Sequence, residues 1–353
     1  MNKEKKRKFI SIIRYHSQIF SFDKEQNYHM MPLEAMQELG YECEIFAIDS
    51  QVKIEDDPNF VPVRVIYYKN IFQYLSYLWE NRNAIIYSNS LTIKTLLVGL
   101  IGKRTIFMAH DQVLPLESKK IKRLIVLFFY HFFSYIRVIN TDEFKLLKKY
   151  NIRSFILPLA IGKSFYSLDK QREGVFINLY VDKNPQMLLD TIQEVKKKYP
   201  NFILSVLGED RYDQNGLNFQ EMVKINGLEK NIKVCFIPHK QLKNILEKSY
   251  ICVNTSISEG QCLAVFEAAL AGCVLCLQNI LSFPSVFDRA YYHTTAQQLA
   301  NNISKALENQ KATEQKVKEN QEMILKHYDY AVIKKKLQEK IEFLFAYSLN
   351  RHS

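Results

Sequence analysis

What most limits the fold of this 353-residue chain is an alternation of short β-type apolar runs with helical stretches that lapses midway and then restarts. Phe9 to Ile13 reads as a first strand and Met30 to Leu39 as a helix stopped by Gly40. Strands at Cys43 to Ile48, Ala84 to Tyr87, Thr105 to Ala109 and Ile136 to Ile139 then alternate with helices at Ile71 to Trp79, Thr92 to Leu100 and Ile121 to Tyr135. The pattern restarts with a strand at Val175 to Tyr180 and a helix from Pro185 to Lys198. Strands at Phe202 to Leu207, Ile232 to Ile237, Ile251 to Asn254 and Val274 to Leu277 follow, with helices at Lys240 to Lys248, Cys262 to Leu270 and Leu299 to Leu307. Two charged amphipathic helices, Glu314 to His327 and Ala331 to Phe345, end the chain. Strands that alternate with helices form a parallel sheet covered on both faces, so the class is α/β. Two such units also suit the length, at roughly 150 residues per domain. The expected boundaries are 1–158 for the first domain, 159–173 for an aperiodic linker and 174–328 for the second domain. Residues 329–353 form a last helix expected to return to the first domain. Doubly wound sheets bind ligands beyond their strand ends, which predicts a cleft between the two.

Composition narrows the partners. The net charge is +11 and the pI about 9.1, which favours nucleotides, lipid headgroups or nucleic acid. No nucleic-acid recognition motif is visible and the charge is scattered, so nucleic acid is not expected. The basic run Lys3, Lys5, Lys6, Arg7 and Lys8 reads as a solvated start. Of six cysteines, five fall between Cys235 and Cys276 in no disulfide spacing, so reduced thiols and a cytoplasmic protein are expected. Cys273 and Cys276 form a single C-x-x-C inside an apolar run. On a strand they would face opposite sides and could not share a metal. The apolar stretch after the basic start is too short for a signal core, and no uncharged run is long enough to span a bilayer.

The chemistry concentrates in Ser258-Glu259-Gly260-Gln261-Cys262-Leu263-Ala264-Val265-Phe266-Glu267-Ala268-Ala269-Leu270-Ala271-Gly272, which follows an apolar strand and opens an apolar helix. Gly260 permits close approach of a ligand to backbone. The helix start offers N–H groups to an anion such as a diphosphate. Glu267 lies in apolar surroundings, where a carboxylate is costly unless something donates to it; ribose hydroxyls are suitable donors. A plain surface glutamate is the alternative for Glu267, and a loop carboxylate for Glu259.

With its strand, loop and helix context, this segment resembles the family 4 glycosyltransferases, retaining enzymes of the GT-B fold. That family carries two glutamates with seven residues between them, and Glu259 and Glu267 match the spacing. The resemblance runs over nearly the whole chain. Asn178-Leu179-Tyr180-Val181-Asp182-Lys183-Asn184-Pro185 is similar to its donor-phosphate loop, and Phe107-Met108-Ala109-His110-Asp111 to the strand ending in a histidine on the acceptor side. Asn140-Thr141 and Leu157-Pro158-Leu159-Ala160-Ile161 resemble the stretches before the family's linker. The resemblance implies two Rossmann-like domains with parallel sheets facing a central cleft. It implies catalytic roles for Glu259, His110 and Lys183, and donor contacts from Glu267, Gly260, Gln261, Cys262, Leu263 and Asn178. A hexose-type sugar would pass from a UDP- or GDP-linked donor to a glycan or lipid-linked acceptor, as in surface polysaccharide synthesis, without a metal or other cofactor.

The chain departs from that pattern at Ile177-Asn178, where the family has Gly-Arg, and in the loop from Tyr15, which lacks paired glycines. Arg14 and His16 are the candidate substitutes there. These departures leave a second reading open: a catalytically weakened GT-B homologue that binds glycans or docks on a membrane. The acidic cluster Glu55-Asp56-Asp57 has no strand before it and reads as a loop rather than a metal motif. The stretch Lys119 to Phe133 is apolar with basic residues at its start. It suits either a buried helix or an anionic membrane surface on the inner face of the cytoplasmic membrane.

Overall fold

The structure is a computed structural model that describes residues 7–13, 30–48, 54, 60–89, 91–109, 120–167, 173–177, 184–207, 218–235, 239–280 and 283–346. The chain divides into two compact units, residues 1–160 with 330–353, and residues 161–329.

The first unit is built on seven parallel strands: β1 (Lys8–Ile13), β2 (Glu42–Ile48), β3 (Arg64–Tyr68), β4 (Ile85–Ser88), β5 (Arg104–Met108), β6 (Tyr135–Val138) and β7 (Ser154–Ile156). Their spatial order is β3-β2-β1-β4-β5-β6-β7, with β1 pairing in parallel to both β2 and β4. The order reverses between β1 and β4. Right-handed crossovers therefore send helices to opposite faces on the two sides of that point. Helices α2 (Ile71–Glu80), α3 (Ile93–Ile101), α4 (Lys120–Tyr130) and α5 (Thr141–Lys149) share one core with the sheet, through Tyr74, Leu78, Val98, Leu127, Tyr130 and Leu147. On α1 (Met31–Glu38) lies the last helix of the chain, α12 (Tyr330–Ala346). There Lys334 meets Glu34 at 3.2 Å and Glu38 at 2.6 Å, and Gln338 donates to the carbonyl of Ala35.

Lys8 and the end of α4 depart from the sequence reading. Lys8 is not a solvated lysine: its ammonium lies 2.7 Å from the carboxylate of Glu44, which is wholly buried on β2 and also accepts from Tyr77 Oη at 2.5 Å. Strand alternation puts Lys8 beside Glu44, because the two are near register neighbours in the β1–β2 pair. Helix α4 stops at Tyr130 instead of Tyr135, since Tyr135 is needed in β6.

The second unit has six parallel strands: β8 (Glu173–Ile177), β9 (Leu204–Leu207), β10 (Ile232–Cys235), β11 (Ser249–Asn254), β12 (Val274–Gln278) and β13 (Tyr291–His293). Their order, β10-β9-β8-β11-β12-β13, reverses between β8 and β11. Helices α6 (Pro185–Lys198), α7 (Phe219–Ile225) and α10 (Ala296–Glu308) pack on one face through Leu188, Ile192, Phe219, Leu299 and Ile303. The other face holds α8 (His239–Lys248) and α9 (Leu263–Leu270), with Ile324 of α11 (Gln310–His327). Cys273 and Cys276 lie in the cores on opposite faces of this sheet. Burial pushes the Cys276 thiol up to about 12. Residues 161–167 belong to this unit: the Ile161 N–H donates to Tyr328 O, and Phe165 is buried in the core below α9.

Candidate functional site

In a sheet of this order the crevice for a ligand opens beyond the carboxyl ends of the two strands at the reversal. In the second unit those strands are β8 and β11. The loop 255–262 leaves β11 there and enters α9, so the segment singled out in the sequence lies at the reversal point.

Hydrogen bonds fix this loop at both ends. The Asn254 side chain accepts from the Ser256 N–H at 2.9 Å and donates to Cys262 Sγ at 3.9 Å, drawing the start of the loop toward its end. Ser256 is fully buried and donates through Oγ to Glu259 Oε1 at 2.9 Å, which holds one oxygen of that carboxylate. Thr255, also fully buried, donates to the carbonyl of Asn184 at 3.3 Å. That bond ties the loop after β11 to the start of α6, the helix that follows β8. Asn184 itself stands at φ 49 in the left-handed region, where asparagine is tolerated better than most residues. Its side chain accepts from Met187 N at 3.2 Å, and Pro185 occupies the first turn. The positive end of a 14-residue helix is thereby held next to the loop that carries Glu259.

Helix α9 follows with no side-chain cap at Cys262, and its residues from Ala264 to Leu270 are all buried. Glu267 is among them, at 2% exposure between Phe266 and Ala268. The surface alternative for Glu267 is thus set aside. Gly260 does not have a positive φ, so any need for glycine there comes from space and not from backbone twist. Gly272 does, at φ 85, and it closes α9 by letting Cys273 N–H reach Ala268 O at 2.9 Å.

The structure therefore brings Glu259, Gly260, Gln261, Cys262, Leu263 and Glu267 together on one loop and helix. Gln261 and Leu263 are half-buried beside the buried Cys262. His110, Lys183 and Asn178 lie outside the described residues, as do Arg14, His16 and Glu55-Asp56-Asp57. Sequence reading missed His293, fully enclosed on β13 in register with Gln278 of β12. Among the described residues neither ring nitrogen of His293 and not the Gln278 Oε1 has a hydrogen-bond partner. Burial pushes the His293 imidazole down to about 4, so it is neutral at ordinary pH. A three-residue strand of Tyr-Tyr-His gives no periodic signal from which this could be seen.

Two doubly wound parallel sheets define the class: the fold is GT-B, with Rossmann-like units. Residues 169–323, all within the second unit, match the family described as glycosyl transferases group 1. Sucrose-phosphate synthase from Thermosynechococcus elongatus superposes with a TM-score of 0.73 at 15% identity, over 96% of this chain and 100% of that one. The HepE protein of Anabaena, solved in complex with UDP-glucose, superposes with a TM-score of 0.74 at 14% identity, over 95% of this chain and 99% of that one. In sequence, a phosphatidylinositol N-acetylglucosaminyltransferase subunit from Arabidopsis thaliana is 25% identical over 140 residues, 37% of this chain and 31% of that protein. The chain spans about a third of the length of the curated relatives it matches. The family match covers the second unit alone, and the structural neighbours share the GT-B fold over nearly the whole chain.

Proposed function

We propose that the chain transfers a hexose-type sugar, with retention of anomeric configuration, from a nucleotide-diphosphate sugar to a glycan or lipid-linked acceptor. The observation that carries this reading is Glu267, a carboxylate enclosed in an apolar helix that opens at the reversal point of a parallel sheet. In this reading Glu267 accepts from the ribose hydroxyls, and Glu259, held by Ser256, contacts the donor sugar. The diphosphate lies toward the start of α6, where the helix dipole and Lys183 oppose its charge. As the bond from sugar C1 to the phosphate oxygen breaks, the diphosphate gains charge, and fixed positive groups stabilise that state more than the bound donor. The acceptor oxygen forms the new C1–O bond on the face the diphosphate leaves, and its proton passes to the departing phosphate. The same reading assigns His110 a catalytic role on the transferred sugar. Positioning and electrostatics supply the catalysis, and a metal ion is not required.

The family 4 assignment, the UDP or GDP base, a role in surface polysaccharide synthesis and a peripheral position on the inner face of the cytoplasmic membrane belong to the same reading. HepE was solved with UDP-glucose, which makes UDP sugars the first donors to try. The loss of the family's Gly-Arg at Ile177-Asn178 is what favours the alternative, a weakened homologue that binds glycans without turning over. The test is release of nucleoside diphosphate from a panel of UDP and GDP sugars in chelator, with the product's anomeric configuration read by NMR. Transfer with retention supports the reading. Binding of donor with no turnover on any acceptor tried would shift it to the alternative, and inverted product would overturn the retaining assignment.

A further inference from the structure

Helices α2, α3 and α4 share one core with the first sheet, and each carries exposed apolar side chains on its outward side. On α4 the side chains of Ile121, Leu124, Ile125 and Phe128 follow the i, i+3, i+4, i+7 spacing of one helical stripe, and all four are exposed, Ile121 at 76% and Phe128 at 62%. Val126, Leu127 and Tyr130 take the buried side of the same helix. The stripe continues sideways. Phe128 meets Phe132 edge to face at 5.1 Å, and a Cβ on Gly99 of α3 would lie 3.0 Å from Phe132 Cβ. Ile93, at 78%, and Leu100 are exposed on α3. Tyr74 of α2 donates to the Lys94 carbonyl of α3, and Phe72, at 79%, and Trp79 are exposed on α2. An apolar face this broad is more than scattered surface hydrophobics.

Charge selects what covers it. Residues 60–135 hold ten lysines and arginines against three acidic residues. Lys120 and Lys122 are exposed at the start of the α4 stripe, and Lys103 is exposed after α3. The Arg82 guanidinium lies 4.8 Å from the Trp79 ring centroid. An indole with a cation beside it on α2, and an apolar stripe with a basic end on α4, each suit the boundary between headgroups and acyl chains. We propose that the outer face of α2, α3 and α4 docks on an anionic lipid bilayer, with Phe72, Trp79, Ile121, Leu124, Ile125 and Phe128 entering the acyl boundary and the basic residues meeting the headgroup phosphates. The proposal deepens the peripheral-membrane part of the function above by naming the surface, and it rests on that part alone.

The test is sedimentation of the full chain with vesicles of phosphatidylcholine, or of phosphatidylcholine mixed with phosphatidylglycerol, at low and high salt. Binding to the anionic vesicles is expected, weaker on neutral ones and weakened by salt. The double variant Ile125→Glu/Phe128→Glu is expected to lose at least about tenfold in vesicle affinity, and Lys120→Glu/Lys122→Glu to lose the preference for anionic vesicles. Both pairs include solvent-facing side chains, and unchanged melting confirms that the variants fold. Failure of the wild-type chain to sediment, or equal sedimentation of all variants, would overturn the proposal. So would a dimer in light scattering that Ile125→Glu/Phe128→Glu converts to monomer while no vesicle binding occurs, because a second copy would then be the occupant. The nucleotide-dependent melting shift is measured on every variant, so loss of docking with that shift intact leaves the transferase reading in place.

Discussion

Glu267 asks more of its surroundings than any other residue of the candidate site. Burying a carboxylate in a helix of alanine, leucine and phenylalanine is costly unless donors reach it. In the proposed reading Glu267 accepts from the ribose hydroxyls, so Glu267→Ala is expected to abolish nucleotide binding and lower transfer by about a hundredfold or more while circular dichroism stays unchanged. Full transfer by this variant would remove Glu267 from the site. His293 makes a second prediction. Its pKa falls from the ordinary value of 6.5 to about 4 on burial, so the unfolded chain takes up a proton that the folded chain refuses. The stability due to neutral His293 is complete above about pH 6.5 and is lost as pH falls toward 4, by about 3 kcal/mol in all. His293→Leu is expected to flatten that part of the stability curve in denaturant titrations from pH 7 to 4. An unchanged slope would show that His293 charges without cost.

At the scale of single elements, α9 depends on its closing turn. Gly272 holds φ 85, where a Cβ is strained, so Gly272→Ala is expected to destabilise the chain by about 1 kcal/mol in denaturant melts. Arg137 on β6 is fully buried, and its guanidinium donates to Leu157 O at 3.0 Å, Pro158 O at 2.8 Å and Tyr87 Oη at 2.9 Å. Arg137→Met keeps the stem but leaves those oxygens without their donor. It is expected to cost about 3 kcal/mol or more, and a loss under 1 kcal/mol would mean the end of β7 is held by other contacts. Elements with long periodic patterns were readable in the chain: α6 spans residues 185–198 as its spacing predicts. The elements missed are short or capped by polar residues. β3 is a five-residue run, β7 and β13 have three residues each, and α5 is capped by Asn140, whose side chain accepts from Glu143 N–H at 2.8 Å. That cap was visible as Asn followed three residues later by Glu, as was the Asn218–Glu221 capping box of α7. α4 was ambiguous for a physical reason: apolar side chains on nearly every face do not say which face the sheet takes.

For the molecule as a whole, the repeated β-then-helix alternation was enough to specify two doubly wound units, because only one hand of crossover returns each helix to the sheet. Strand order was beyond it, and strand order is what places the loop 255–262 at a reversal point. The tie from Thr255 to Asn184 was likewise invisible, since it joins residues 71 positions apart through one backbone carbonyl. Basic composition signalled an anionic partner without choosing among nucleotide, lipid and nucleic acid, and the outward apolar stripe of α4 is the observation on which the proposed lipid docking rests.

Everything proposed for catalysis depends on the second unit binding a nucleotide-diphosphate sugar at Glu267. A melting series of the full chain with UDP, GDP and their sugar conjugates, in chelator, probes that binding without needing an acceptor. A matching donor at a hundred times its dissociation constant should stabilise the folded chain by about 2.7 kcal/mol, and Glu267→Ala should show no shift. An equal shift in Glu267→Ala, or none in the wild-type chain with any donor, would refute binding at Glu267.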